Sequence, residues 1–412
     1  MRRLAPGVCL LLLLAFVGAR VLAAPAPVTV HFWHAMRGDK QTALNELITE
    51  FEKYHPTVHV EARYVHDPRP YGNDYVELYR AILESLARHQ PPDVAQVYEN
   101  WTTQLITGGA AGAQSWIVPA QSFLPPGQSV GDVLPVFLEA NTFAGTVWTL
   151  PFNKSIYVLY YNKAMLAADH VMPPQTWDDL RSAAQRLTHG GQFGIVYQPD
   201  IDVVGHLLYA HGIDYLANHE VTLDSGAGRE SLQYWMDLTE RDRSALASFD
   251  AQRDFVAGKA AMYIFTTSVY NTLTHGGPEV GVAPLPGMGK VAIAGTNLAV
   301  FRTTPAQQQA SWELVRYLTS AGPNTQWAIR TGYVPVRQSA VESAAYIAFL
   351  REHPDFKLAA IDTVATRARV EPRTPGWETI RGIISDAVYA AVSGKETAAE
   401  AAHRAAEQSN RL

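Results

Sequence analysis

Downstream of Pro27 the apolar residues switch repeatedly between a period of two and a period of 3.6, which leaves few folds open. Residues 28–33 (VTVHFW) are β-branched and aromatic and read as a strand. Leu44, Leu47, Ile48 and Phe51 then fall at i, i+3, i+4 and i+7, with Asp39 as the expected cap and His55-Pro56 as the stop. Residues 58–64 read as a second strand. Tyr75, Leu78, Tyr79, Ile82, Leu83 and Leu86 form a second helical stripe ended by Pro91-Pro92, and residues 93–98 read as a third strand. Strand, helix, strand, helix, strand with short joints predicts a parallel sheet covered by helices.

The theme recurs further along. Residues 157–161 (YVLYY) are continuously apolar, as in a strand buried on both faces. After Pro173-Pro174, Thr176-Trp-Asp-Asp179 forms a capping box ahead of Leu180, Ala183, Ala184 and Leu187. A strand at 193–197 and a helix at 203–211 follow, and 280–284 and 292–301 read as strands around the Gly- and Pro-rich loop at 285–289. Later helices carry Trp312, Leu314, Val315 and Leu318, then Ile380, Ile383, Ile384, Ala387 and Val388. The tail at 397–410 is Ala-rich and weakly amphipathic. With 412 residues the chain exceeds one ordinary core, and two α/β lobes account for its length.

At the N-terminus, Arg2-Arg3 precedes an apolar run at 8–17, and Val21-Leu22-Ala23-Ala24 offers small residues for a peptidase. The run is about half of the ~20 residues that a spanning helix needs. An export signal at 1–24, cleaved near Ala24, is the expectation. The single cysteine, Cys9, sits at the start of the apolar run, so no lipobox fits, and the residues after Arg2-Arg3 do not match a twin-arginine signal. Cleavage removes Arg2, Arg3 and Arg20 and leaves 30 basic against 39 acidic residues, a formal charge of −9 in place of −6. That balance argues against nucleic-acid binding. A mature chain without cysteine has no disulfide, thiol nucleophile or Cys-based zinc site. No second long apolar stretch follows, so a soluble periplasmic protein is expected.

Catalytic signatures are missing: there is no Gly-x-Ser-x-Gly, no Walker loop and no His-Glu-x-x-His. Gly287-Met-Gly289 follows Pro284-Leu-Pro286 and reads as a turn. His31 and His34 are three apart in or after a strand and point to opposite sides, which disfavours a shared metal. Asn100-Trp-Thr102 matches a glycosylation acceptor by chance. No cofactor or metal is expected. Aromatic residues do collect at element ends (Trp33, Tyr75, Tyr98, Trp101, Trp148, Tyr333, Trp377), where polyols and sugars are often held. Core packing is the alternative for each of them.

Phe32-Trp-His-Ala-Met36, Gln96-Val-Tyr-Glu99, Pro151-Phe-Asn-Lys-Ser155, Leu159-Tyr-Tyr-Asn-Lys163, Thr176-Trp-Asp-Asp-Leu180 and Thr331-Gly-Tyr-Val-Pro335 occur in this order. In this the chain resembles the extracellular solute-binding proteins of ABC importers, within the maltose-binding-like superfamily, and most closely the sn-glycerol-3-phosphate-binding branch. The resemblance implies an α/β, two-lobe periplasmic binding protein fold of type II, with three hinge crossings and the ligand in the interlobe cleft. It implies lobes at 28–150 plus 292–352 and at 151–291 plus 353–412. The crossings fall at 150–152, at 287–291 and near 353–358. A monomer working with an inner-membrane ABC permease follows, and no enzyme.

Carried over by motif, the resemblance implies that Tyr75 and Glu99 hold glycerol hydroxyls. It gives the phosphate to Ser155, one of Thr266, Thr267 and Ser268, Gly295, Tyr333 and Arg373. Each has an ordinary alternative: Tyr75 as helix-face core, Glu99 as a helix cap, Gly295 as a bend, Arg373 as a surface loop residue. One departure matters. The branch walls its ligand with tryptophans after the strand corresponding to 193–197, whereas here that loop is Gln198-Pro-Asp-Ile-Asp202. A phosphodiester with a cationic headgroup, such as glycerophosphocholine, could then meet Asp200 and Asp202. The competing expectations are a binder of neutral mono- or oligosaccharides and, more remotely, a periplasmic hydrolase of phosphodiesters or glycans.

Overall fold

The computed structural model describes residues 27–69, 73–108, 114–274 and 277–412. The export segment expected at 1–24, with Cys9, lies outside the described residues. The first half alternates as its periodicity requires: β1 (Val28–His34), α1 (Asp39–Tyr54), β2 (Val58–Tyr64), α2 (Asp74–Ala87), β3 (Val94–Val97) and α3 (Glu99–Thr107). Asp39 is not the cap of α1. The chain enters the helix through Gly38 at φ 57°, so Asp39 is already helical, and its charge acts on the positive helix end from the first turn. β1 lies between β2 and β3, parallel to both, in register Val28↔Val58 and Phe32↔Val94. Helices cover both faces. Phe32 joins Leu44, Leu47 and Phe51 of α1, while Ala95 and Val97 pack with Leu78 and Ile82 of α2 and with Trp101 and Leu105 of α3.

After the short α4 (Pro135–Ala140) comes β4 (Leu150–Asn162), which begins seven residues before the stretch its apolar run advertises. Pro151 sits opposite Asn297 where the register slips between Thr296 and Asn297, and that irregularity admits a residue with no N–H to give. The second half contains α5 (Trp177–Arg186), β5 (Phe193–Tyr197), α6 (Ile201–Ala210), β6 (Ala245–Ala247), β7 (Ala260–Thr266), β8 (Val280–Pro284) and β9 (Val291–Phe301). The capping box of α5 forms as expected, Thr176 accepting from the Asp179 N–H at 3.0 Å and Asp179 accepting from the Thr176 N–H at 2.9 Å. Gly287-Met-Gly289 is a loop, its Gly287 N–H bound to the Gln175 carbonyl at 2.7 Å.

The main sheet runs β6-β5-β7-β4-β9-β3-β1-β2, with β8 alongside the far end of β4. β4 pairs with β9 through Leu150–Ile156, then with β7 through Tyr157–Tyr161 and with β8 through Val158–Asn162. β9 pairs with β4 at one end and with β3 at the other. Two long antiparallel strands therefore connect two parallel α/β halves. The chain ends in α7 (Pro305–Leu318), α8 (Ala321–Thr331), α9 (Trp377–Val392) and α10 (Ala398–Ser409). No helix among the described residues is long and apolar enough to cross a membrane.

Candidate functional site

Distant segments meet around the middle of β4. Asn73 accepts from the Tyr75 N–H at 2.9 Å, which starts α2 and fixes Tyr75 at its first turn. The Tyr75 hydroxyl lies 3.5 Å from the Tyr333 hydroxyl, and its ring is 5.3 Å from that of Tyr98. Tyr333 follows α8, which ends in Gly332 at φ 77°. A Cβ at Gly332 would lie 2.6 Å from the Thr267 carbonyl oxygen, so only glycine lets the Thr266–Ser268 segment approach. There the Thr266 and Ser268 hydroxyls bond at 2.8 Å, while the buried Thr267 hydroxyl has no partner. The Val334 N–H donates to the Lys154 carbonyl at 2.8 Å, tying this loop to β4.

Across from Lys154 stands Gly295 of β9, at φ 88°, with the Asn153 carbonyl oxygen 1.8 Å from where a Cβ would be. The Lys154 ammonium is fully buried and donates to the Glu99 carboxylate and to the Gly295 carbonyl at 3.1 Å. Glu99 is the first residue of α3, where the helix dipole favours its charge. The Asn153 amide oxygen accepts from Gln96 at 3.2 Å and from Thr296 at 2.5 Å, and its buried NH2 group has the Tyr75 hydroxyl as its neighbour, beyond full bonding distance. Ser155 is buried opposite Ala294, one step from Gly295. Tyr75, Glu99, Ser155, Thr266, Thr267, Ser268, Gly295 and Tyr333 thus gather along one connected set of contacts.

Burial, then the neighbouring Tyr333 and Tyr98 phenols, push the Tyr75 hydroxyl well above its ordinary range against a small opposing pull from the Asn153 amide, so it stays neutral. Burial pulls the Lys154 ammonium below its usual range, and Glu99 opposes that shift. The site is a set of neutral hydroxyls around one internally compensated ion pair. Lys40 stands over the Tyr333 ring at 5.2 Å.

Arg373 stands apart from this group. Its Nη1 donates to the carbonyls of Glu139 at 2.7 Å and Thr142 at 2.9 Å at the end of α4, and its guanidinium lies 4.8 Å over Phe143. It lines a cavity of about 240 Å³ with Tyr209, Asp214, Tyr215, Arg369 and Glu371, a wall that includes none of the gathered residues. Nε and Nη2 carry no acceptor among the described residues. Only its carbonyl reaches towards Glu99, accepting from Thr103 at 2.6 Å.

Asp202 is already engaged. It accepts from the Tyr157 hydroxyl and from Arg381 Nη2 at 3.1 Å, while Arg381 Nη1 meets Glu371 at 2.6 Å. Burial works against the Asp202 charge, but Arg381 and Tyr157 hold its carboxyl below the usual range. Asp200 caps α6 by accepting from the Asp202 N–H at 3.0 Å, and burial beside Asp202 pushes its own carboxyl well up. Trp101 and Trp377, counted above among possible ligand-facing aromatics, are core residues, and their indole N–H groups bond to Glu378 and Glu371. His31 and His34 do diverge: His34 is buried, whereas His31 pairs with Glu61 at 3.1 Å. Sequence reasoning passed over Lys154 and Arg381. Nothing local marked Lys154, because the apolar run read from sequence starts at 157 and only pairing with β9 places position 154 inside a strand.

Comparison with known proteins agrees with this architecture. Residues 46–353, well over half the chain, match the family described as bacterial extracellular solute-binding protein. The sn-glycerol-3-phosphate-binding periplasmic protein UgpB of Rhizobium meliloti (strain 1021) is 23% identical over 418 residues, covering 94% of each chain. UgpB from Mycobacterium tuberculosis, solved in complex with glycerophosphocholine, superposes with a TM-score of 0.84 at 21% identity, covering 94% of this chain and 98% of that one. The GacH receptor of Streptomyces glaucescens GLA.O, solved unliganded and with acarbose, gives 0.81 at 23% identity, covering 93% and 98%. The two-lobe α/β fold is that of binding proteins, not of enzymes. Such proteins hold a small molecule and pass it to a membrane permease. With two halves joined by long shared strands and the family match running through both, the chain belongs to the bacterial extracellular solute-binding proteins, the solute-binding components of ABC importers.

Proposed function

We propose that the solute is a glycerophospho-compound, glycerol-3-phosphate or a glycerophosphodiester such as glycerophosphocholine, held in the cleft between the lobes. The observation behind this reading is the meeting of Tyr75, Glu99, Tyr333 and the Thr266–Ser268 hydroxyls around β4. A carboxylate there accepts from vicinal hydroxyls and repels a misplaced phosphate, which orients the ligand. Ser155, one of Thr266, Thr267 and Ser268, the Gly295 amide and Tyr333 take phosphate oxygens in this reading, and Arg373, which stands apart from them, joins with its Nε and Nη2 only when the lobes close on the ligand. The UgpB relatives support this class of solute.

The lobes in this reading are 28–150 with 292–352, and 151–291 with 353–412. They hinge where β4 begins, where the 287–291 loop enters β9, and near 353–358. The protein is exported to the periplasm as a monomer, its signal removed near Ala24 without lipidation. For a cationic headgroup Asp202 is already occupied by Tyr157 and Arg381, and Asp200, whose carboxyl is pushed well up by burial beside Asp202, must ionise on meeting the cation. Neutral sugars form the second reading, favoured by the three tyrosines of the site and by the acarbose-bound relative.

Calorimetric titration with sn-glycerol-3-phosphate, glycerophosphocholine and maltose decides between them. Binding of a phosphorylated compound and none of maltose is expected; the reverse selects the sugar reading. Arg373→Ala is expected to abolish binding of the phosphorylated ligand with the circular dichroism spectrum unchanged. Full affinity in that variant would remove Arg373 from the site.

A further inference from the structure

We propose that Lys154 is a ligand contact, the cation that meets the anionic or acceptor oxygens of whatever Glu99 holds by its hydroxyls. The inference rests on the reading that the solute binds at Glu99. Three observations carry it.

The first concerns position. Arg373 spends Nη1 on the end of α4 and faces a cavity that the hydroxyl cluster does not line. The cation that does stand in the cluster is Lys154, paired with Glu99, across from Gly295, and bound through its own carbonyl to the residue after Tyr333.

The second concerns valence. An ammonium has three donors and a carboxylate two acceptor oxygens. Lys154 uses one donor on Glu99 and one on Gly295; Glu99 accepts through Oε1. The third donor of Lys154 and Oε2 of Glu99 meet no protein group among the described residues. The Thr267 hydroxyl is likewise buried with no partner at bonding distance. Buried polar groups are ordinarily satisfied, and a polyol with an adjacent anionic oxygen would complete a set of this kind.

The third concerns cost. Burying an ion pair is commonly neutral or worse for stability than an apolar pair of the same volume. Phe152, Ile156 and Val158 of the same strand are all fully buried, so the strand needs no charge at position 154 to pack. A pair retained there has its use in what it contacts. Because Glu99 compensates the ammonium, the site accepts a hydroxylated anion without attracting simple anions strongly.

The test measures Lys154→Met in two backgrounds, wild type and Glu99→Gln; each single variant leaves one member of the pair without its counter-ion, and the double variant leaves no unpaired buried charge. Each protein is checked for fold by circular dichroism and apo melting temperature, then titrated with sn-glycerol-3-phosphate, glycerophosphocholine and maltose. Lys154→Met is expected to weaken binding of the phosphorylated ligand tenfold or more in both backgrounds. A structural role instead lowers the melting temperature in the wild-type background and leaves affinity within twofold in the Glu99→Gln background, which overturns the proposal. If wild type binds only maltose, the glycerophospho reading falls by itself. A tenfold loss of maltose affinity in Lys154→Met then keeps the contact, and an unchanged affinity removes it. A wild-type chain that binds none of the three counts against both.

Discussion

Gly295 shows how a single residue without a side chain can decide the site. Its φ of 88° and the 1.8 Å gap to the Asn153 carbonyl leave no room for a Cβ. Gly295→Ala is expected to cost about 2–4 kcal/mol of stability, because it combines backbone strain with a clash against backbone. Urea unfolding measures this; a loss under 1 kcal/mol would mean that β4 and β9 can separate cheaply. His206 makes a second case. It is buried against Tyr157 at 4.6 Å, neither ring nitrogen has a partner at full bonding distance, and burial lowers its pKa to about 4 against the opposing pull of Asp202. The folded state therefore resists a proton that the unfolded state accepts near 6.5, so stability present above pH 6.5 is lost as pH falls towards 4. His206→Phe is expected to flatten that decline in melting temperature between pH 6.5 and 4. An identical pH profile would assign the decline to other groups, among them His34, whose burial lowers its pKa to about 4 as well.

Among the elements, β4 and α10 depart most instructively from their local patterns. β4 looks like a short buried strand at 157–161 because Pro151, Asn153 and Lys154 interrupt its apolar character. Its true start is set by partners 140 or more residues away, Leu298 opposite Leu150 and Gly295 opposite Lys154. α10 reads as weakly amphipathic because alanine carries little hydrophobicity. Yet Ala398, Ala401, Ala402, Ala405 and Ala406 are all buried, an unbroken stripe at helical spacing against α9 and the Gly226–Met236 helix. Small residues there set the helix separation. Ala402→Leu is expected to overpack this face and cost about 1–3 kcal/mol, read as a lower melting temperature. Ala399→Leu, the same change at an exposed position of α10, has no such effect. A stabilised Ala402→Leu would show that the interface is loose.

Across the whole molecule, contacts between α3 and the C-terminal segment bring distant parts of the chain together. Glu378 accepts from the Asn100 amide and the Trp101 indole, both at 3.1 Å, and Thr103 donates to the Arg373 carbonyl. On the lobe assignment proposed above these bonds bridge the two lobes and favour the closed arrangement. Glu378→Ala strands a buried indole N–H and removes roughly 1–3 kcal/mol from that arrangement. The expected result is ligand affinity weakened by about tenfold and a larger radius of gyration for the unliganded protein by small-angle scattering. Unchanged affinity and radius would place the bridge within a single rigid body.

The alternation of strands and helices, the capping box at Thr176 and the glycine turn at 287–289 were legible without coordinates, because each rests on residues a few positions apart, where side-chain period and capping chemistry act locally. The tyrosines and hydroxyls of the candidate site came from the motif resemblance and from no local pattern. The counter-ion of Glu99 lies 55 residues away, and the Arg381 partner of Asp202 lies 179 away. The carbonyls that turn Arg373 from the hydroxyl cluster lie more than 230 positions before it. Such partners are chosen by which strands the sheet sets side by side, and burial then decides which charges must pair. The elements and the kinds of residue they carry were therefore written in the chain, whereas the pairing of charges that gives the cleft its chemistry emerged only with the tertiary fold.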